Sequence, residues 1–193
     1  MLQKSPWRPA FALLMLVIAL AACGGRPHVF GGTELAPPRP APDLNLVDQH
    51  GQPFALGSQK GNLALIYFGY THCPDVCPAT LGAFAAARRQ LGAAAEHVRF
   101  IFITVDPSRD TPEVLRTYLA QIDPAIVGLT GTPAAIARAE HDYGVYAAGE
   151  RLDAVTHTDR IFLIDRAGNW RRLYPFDVEP TVLAADARAL LDV

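Results

Sequence analysis

The run from Leu63 to Phe68 constrains the fold most, because it is an uninterrupted apolar stretch without a charged residue. Such a run indicates a strand that is buried on both faces, as in sheets that carry helices on each side. Cys73 and Cys77 follow it directly. Pro78 predicts that a helix begins close to it, because proline fits the first turn but not a helix interior. A central strand, a cysteine loop and a helix N-terminus are therefore expected in that order.

The rest of the chain from Asp43 alternates between strand and helix patterns. Two Thr-Pro pairs, at Thr111 and Thr132, predict helix starts with an N-cap hydroxyl followed by proline. A final helix is expected from about Pro180 to Leu191. The predicted strands are a hairpin of 44–47 with 54–56, then 63–68, 98–105, 127–129, 145–147, 161–164 and 170–174. This pattern predicts one α/β domain over residues 43–193, with a mixed sheet between helices.

Residues 1–22 have the pattern of a secretory signal, with Lys4 and Arg8 before an apolar stretch. The stretch is shorter than the roughly 20 residues that a membrane-spanning helix needs. Its end, Leu20-Ala21-Ala22-Cys23, resembles the bacterial lipoprotein box, which implies lipidation of Cys23. An ordinary signal peptide is the alternative. In either case the domain is expected outside the cytoplasm, and with a lipid anchor it would lie in the cell envelope on the periplasmic side.

Residues 23–42 are rich in Gly and Pro, and this composition predicts a flexible tether. Fully extended, it could reach roughly 60 Å. A domain anchored at Cys23 could then search for a partner near the membrane.

The charge balance argues against nucleic acid as a partner. The chain has 17 Lys and Arg against 19 Asp and Glu, for a formal net charge of −2. Removal of residues 1–22, which contain two basic residues and no acidic ones, makes this balance more negative. A Gly-rich phosphate loop ending in Gly-Lys-Ser/Thr is absent from the sequence.

Cys73 and Cys77 could form a structural disulfide, act as a redox couple, or bind a soft metal. A disulfide would close a very small loop and stabilise little. The spacing, Cys-x3-Cys, is one residue longer than in thioredoxin-like oxidoreductases. A helix N-terminus lowers a thiol pKa, although Asp75 opposes this, so we predict that one thiol is more acidic than a free cysteine. Thiolates favour Cu(I), and an added imidazole would also permit Cu(II).

Two of the six histidines are candidates for a role beside these thiols. His72 adjoins Cys73, but consecutive side chains point apart, so a supporting role is expected. His157 precedes the predicted strand at 161–164 and could face the helix N-terminus. Spacing alone leaves its role as a ligand open.

Three blocks of the sequence resemble the SCO/SenC family of copper-binding proteins: Tyr67 to Pro78, Val105 to Pro112, and His157 to Asp165. The resemblance covers the chain from about Asp43 to its end. It implies a thioredoxin-like fold with an N-terminal β-hairpin, and Cys73, Cys77 and His157 as copper ligands. It further implies delivery of copper to the CuA site of cytochrome c oxidase, with other copper chaperones as further partners. This chain has Thr156 where the family usually has Asp.

The resemblance leaves several functions open. A copper chaperone is the first hypothesis, and such a protein is not an enzyme in the turnover sense. The second is a thiol-disulfide oxidoreductase that uses Cys73 and Cys77 as its exchanging couple, forming a disulfide when oxidised. A peroxide-reducing or redox-sensing domain is the third.

The segment Asp106–Thr111 is expected to be a structural turn, with Asp110 and Thr111 as competing helix caps and Arg109 paired with an acid. Docking of a partner is its alternative role.

Overall fold

The computed structural model describes residues 28–145 and 159–192. Its core is an eight-stranded mixed sheet with the strand order β1-β8-β7-β4-β5-β6-β2-β3. The strands are β1 (Thr33–Pro40), β2 (Asn45–Asp48), β3 (Pro53–Ala55), β4 (Leu63–Gly69), β5 (Val98–Thr104), β6 (Val127–Thr130), β7 (Arg160–Ile164) and β8 (Asn169–Pro175). The helices are α1 (Val76–Leu91), α2 (Pro112–Ala120), α3 (Pro133–Tyr143) and α4 (Pro180–Leu191), with two short 3-10 helices at Leu56–Gln59 and Gly92–His97.

Strand β4 lies at the centre of the sheet, as predicted, and all seven of its residues are buried. It is parallel to β5 and antiparallel to β7. Because successive strand residues face opposite sides, Leu65 and Tyr67 pack into one core with α1, α2 and α4. Ile66 and Phe68 pack into a second core with α3. The cysteine loop therefore leaves the sheet from a central strand that is buried on both faces.

The predicted helix starts at the two Thr-Pro pairs are confirmed. The hydroxyl of Thr111 accepts a hydrogen bond from the amide of Val114 at 3.3 Å, and that of Thr132 accepts one from Ala135 at 3.2 Å. The predicted hairpin is also present as β2 and β3, and it extends the sheet beyond β6. The strand predicted at 145–147 lies mostly outside the described residues.

The prediction of a flexible tether up to residue 42 is wrong for residues 33–40. Strand β1 pairs antiparallel with β8 at the edge of the sheet. Its residues are mostly exposed, so backbone pairing rather than apolar burial holds it there. The composition argument failed because an edge strand needs a partner with free backbone groups, not a hydrophobic sequence.

The segment of residues 28–40, here called the N-terminal strap, is also held by Asp186 of α4. This carboxylate is 1% exposed. It accepts hydrogen bonds from the His28 ring at 2.7 Å, the Gly31 amide at 2.9 Å and the Tyr174 hydroxyl at 2.7 Å. The folded part of the chain therefore begins by His28, well before Asp43.

Two further predictions concern residues outside the described part of the chain. The signal segment 1–22 and Cys23 precede it, and His157 falls in the gap between 145 and 159. Within residues 28–145 and 159–192, none of the helices combines the length and the apolarity that crossing a bilayer requires.

Candidate metal centre

The two cysteines lie at the carboxyl end of β4, one in the loop and one on the helix. Cys73 is in the loop, where its amide donates to the Tyr70 carbonyl at 3.2 Å. Cys77 is the second residue of α1, which begins at Val76, two residues before Pro78. The Cys77 amide donates to the Cys73 sulfur at 3.4 Å. Both thiols are free, and this hydrogen bond brings the Cys73 sulfur to the first turn of α1.

Cys77 is completely buried against β4. A Cβ atom at Gly69 would lie only 2.7 Å from its sulfur, so the glycine provides the space that the thiol occupies. Burial, the largest effect, raises the pKa of the Cys77 thiol from 9.0 to about 12. The predicted acidifying effect of the helix N-terminus is therefore outweighed at this position, because desolvation penalises the thiolate more than the dipole favours it.

The two thiols differ in exposure, since Cys73 is only partly buried. An incoming electrophile or metal therefore meets Cys73 first. Cys77 must lose a proton before it can act as a thiolate ligand or nucleophile. Two adjacent thiols of this kind can hold a soft metal or form an intramolecular disulfide.

Tyr67 connects this thiol pair to Asp159. Its hydroxyl lies 3.7 Å from the Cys77 sulfur and donates to the Asp159 carboxylate at 3.4 Å. Burial first, and then the charge of Cys77, raises the pKa of Tyr67. Tyr67 therefore links Cys77 to a residue that is two positions after His157 in the sequence.

The block 106–111 forms the predicted turn, but Asp110 is not a helix cap. Arg109 pairs with Asp106, as expected, and Thr111 caps α2. Asp110 instead turns inward, where its carboxylate accepts hydrogen bonds from Thr71 and Thr104. The prediction of competing caps is wrong because the hydroxyl alone accepts the first-turn amide bond.

His72 lies on the surface, with a side chain that is 56% exposed. Its Nδ1 atom lies 3.1 Å from the Thr71 hydroxyl and 3.9 Å from the Asp110 carboxylate. These contacts agree with a supporting role. Across the two described segments, residues 28–145 and 159–192, groups of three His, Cys, Asp or Glu side chains able to hold a metal are absent. The predicted third ligand, His157, lies outside those segments.

The sequence patterns did not predict that Gly69, Tyr67 and Tyr118 lie around the thiols. Tyr118 of α2 has a buried hydroxyl. Its side chain packs against the core cluster that contains Cys77, and burial first, then the charges of Cys77, Cys73 and Asp110, raises its pKa. Apolar periodicity assigns such residues to the core, and only the packing reveals that they surround the thiols.

The fold and the paired thiols define a thioredoxin-like domain with a dithiol site after its central strand, as predicted. Residues 33–192 match the SCO1/SenC family, and the chain belongs to that family. A SCO2-like protein of Rickettsia felis is 36% identical over 144 residues, which are 72% of this chain and 70% of the relative.

Two solved structures are similar in sequence and fold. The copper-bound structure of ScoI from Bradyrhizobium japonicum is 40% identical, with a TM-score of 0.72, and the match covers 79% of this chain and all of that one. The solution structure of apo Sco1 from Thermus thermophilus is 37% identical, with a TM-score of 0.77, over 86% of this chain and all of that one.

Proposed function

We propose that this protein is a copper metallochaperone that carries copper on Cys73, Cys77 and His157 and delivers it to the CuA site of cytochrome c oxidase. The observation that most directly supports this proposal is the free thiol pair at the carboxyl end of β4 in a member of the SCO1/SenC family. Two thiolates are suited to Cu(I). The copper-bound ScoI of B. japonicum, at 40% identity, supports copper as the metal.

The unequal thiols support transfer by ligand exchange. Cys73 is partly exposed and is available to an incoming donor or acceptor, whereas Cys77 is enclosed. Copper would arrive on Cys73, displace the proton of Cys77, and leave in the reverse order as acceptor ligands replace the two sulfurs. The contact between Tyr67 and Asp159 brings the chain near His157 toward this site, which supports His157 as the third ligand.

We further propose that lipidated Cys23 anchors the domain on the periplasmic side of a membrane. The support is the sequence Leu20-Ala21-Ala22-Cys23 after an apolar segment. Cys23→Ser should release the protein from membranes while the domain stays folded. Retention of this variant on membranes after a carbonate wash would contradict the anchor.

A second function, thiol-disulfide exchange with a target protein, is favoured by the half-buried position of Cys73 next to Cys77. In this reaction the Cys73 thiolate attacks a target disulfide and forms a mixed disulfide, releasing one target thiolate. Cys77, as thiolate, then displaces the second target thiolate and forms the Cys73–Cys77 disulfide. The target gains two electrons and this chain loses them.

His157→Ala separates the two functions. It should abolish Cu(II) binding and weaken Cu(I) binding by about tenfold, because Cu(II) needs the nitrogen ligand more than Cu(I) does. The rate of disulfide exchange with a small thiol should stay unchanged. Binding is measured by competition with chromophoric chelators, and His97→Ala, at an exposed residue, is the matched control.

Parent-like binding of both copper states by His157→Ala would remove His157 from the site and move the oxidoreductase function ahead. If the variant fails to fold, His157→Gln, which is closer in size, replaces it in the same assay.

A further inference from the structure

The carboxylate of Asp110 is fully buried, and its side-chain contacts connect two parts of the cysteine site. One oxygen accepts from the Thr71 amide at 3.0 Å and the Thr104 hydroxyl at 2.6 Å. The other accepts from the Thr71 hydroxyl at 2.6 Å. Thr71 is two residues before Cys73, and 39 residues separate it from Asp110.

Asp110 is itself held in place by the turn that precedes α2. Its amide donates to the Asp106 carbonyl at 2.9 Å. The Asp106 carboxylate is in turn bound by Arg109 and by the Ser108 hydroxyl, the latter at 2.8 Å. These hydrogen bonds within residues 106–110 hold the Asp110 carboxylate in position.

Thr104, the third group in this cluster, ends β5 and pairs in register with Gly69 at the end of β4. Gly69 is also the residue that the Cys77 sulfur contacts. Asp110 thus ties the Cys73 side of the loop to the same strand ends against which Cys77 packs. The loop has helix α1 as its anchor on one side and Thr71 as its anchor on the other.

The bonds to Asp110 also orient His72. A hydroxyl has one proton, and that of Thr71 is donated to the nearby carboxylate. The Thr71 oxygen can then only accept from Nδ1–H of His72, at 3.1 Å. This leaves Nε2 of a neutral His72 without a proton. Through Thr71, the Asp110 carboxylate therefore also sets which ring nitrogen of His72, the residue next to Cys73, can accept a hydrogen bond.

We propose that Asp110 is a positioning residue of the copper site, which acts through Thr71 to fix Cys73 relative to Cys77. The inference rests on the proposed function, because copper is the ligand that the two sulfurs would share. Charge-assisted hydrogen bonds are roughly twice as strong as neutral ones. Two of them tie Thr71 to the buried carboxylate, and a third ties that carboxylate to Thr104 at the end of β5. Together they hold the loop where a single backbone bond from Cys73 to Tyr70 would not.

The test compares Thr71→Val with Thr71→Ser in the full-length protein. Valine matches threonine in shape but leaves one Asp110 oxygen without its donor, whereas serine keeps the hydroxyl. Loss of a partner outside the ligand shell typically costs 10–100-fold in metal affinity. We expect Thr71→Val to weaken Cu(I) binding by about tenfold and to shift the Cu(II)–thiolate absorption band, and Thr71→Ser to restore both.

Thr132→Val is the matched control for loss of a hydroxyl. Thr132 caps α3, which packs on the opposite face of the sheet. Its removal should lower thermal stability without changing copper affinity or the absorption band. A drop in stability alone is therefore distinguished from a displaced thiol.

Parent-like copper affinity and an unshifted band in Thr71→Val would overturn the positioning role of Asp110. A parent protein that itself fails to bind copper would instead overturn the proposed function. If Thr71→Val does not fold, Asp110→Ala decides, since alanine removes the acceptor of the Thr71 amide, the Thr71 hydroxyl and the Thr104 hydroxyl. A parent-like band and affinity in that variant would also refute the proposal.

Discussion

Gly69 leaves the space that the buried Cys77 sulfur occupies, and Gly69→Ala should remove it. A Cβ atom at this position would lie 2.7 Å from the Cys77 sulfur, 2.8 Å from a Phe102 ring carbon and 3.1 Å from a Tyr67 ring carbon. All three neighbours are 0% exposed. The backbone torsion of Gly69 is one that alanine can adopt, so the conflict is one of space.

The expected magnitude follows from these distances. An ordinary contact of 3.4 Å or more requires the sulfur to move by about 0.7 Å, and the two rings cannot yield because they are packed on all sides. Overpacking of a core in this way costs about 1–3 kcal/mol. The displaced thiol should also weaken Cu(I) binding by about tenfold, which corresponds to ~1.4 kcal/mol.

Gly82→Ala is the matched control, because Gly82 is in the middle of α1 and a Cβ there would meet nothing within 4 Å. Alanine is favoured over glycine inside a helix by about 0.5–1 kcal/mol. The two variants should therefore change the free energy of unfolding in opposite directions. Urea denaturation of the reduced, metal-free proteins measures this free energy, and competition with a Cu(I) chelator measures affinity.

A Gly69→Ala variant as stable as Gly82→Ala would show that the Cys77 sulfur is not packed against β4. Loss of stability with unchanged copper affinity would refute a different step: it would mean that the position of Cys77 does not control binding.

Three further outcomes follow from burial at the site and at the N-terminal strap. Because burial raises the pKa of Cys77 to about 12, copper must displace its proton, so Cu(I) affinity should rise with pH between about 6 and 8; a flat profile would contradict this. By the same raised pKa, the contribution of Cys77 to stability is present below pH 9.0 and is lost as pH rises toward 12. Asp186→Asn should speed amide hydrogen exchange in residues 33–40, since the carboxylate that holds the strap is weakened; exchange as slow as in the parent would show that strand pairing alone holds it.

Local signals in the sequence were sufficient for much of the fold. The apolar run of β4 fixes a central strand, and the Thr-Pro pairs at 111 and 132 mark helix starts, because each depends on neighbouring residues alone. The placement of Cys73 in the loop and of Cys77 in the first turn of α1 follows in the same way. The edge strand β1 could not be found like this, since its position depends on β8, more than 120 residues away in the chain.

The raised pKa of Cys77 shows a second limit of local reasoning. A helix N-terminus and a nearby Asp75 are both visible in the sequence, and they act on a thiol in opposite directions. The larger effect is burial, which depends on Gly69 and Tyr67 approaching the sulfur from β4. A glycine at the end of an apolar strand carries no signal of this contact.

Asp110 and Thr111 illustrate why adjacent residues of similar capping ability take different roles. Either side chain can accept the first-turn amide of a helix, but a hydroxyl oxygen is sufficient for the one bond from Val114. A carboxylate has room for several donors, and inside the fold it finds three, from Thr71 and Thr104. A threonine cap therefore releases the preceding aspartate for a contact between distant segments, and at this site that contact holds the loop that carries Cys73.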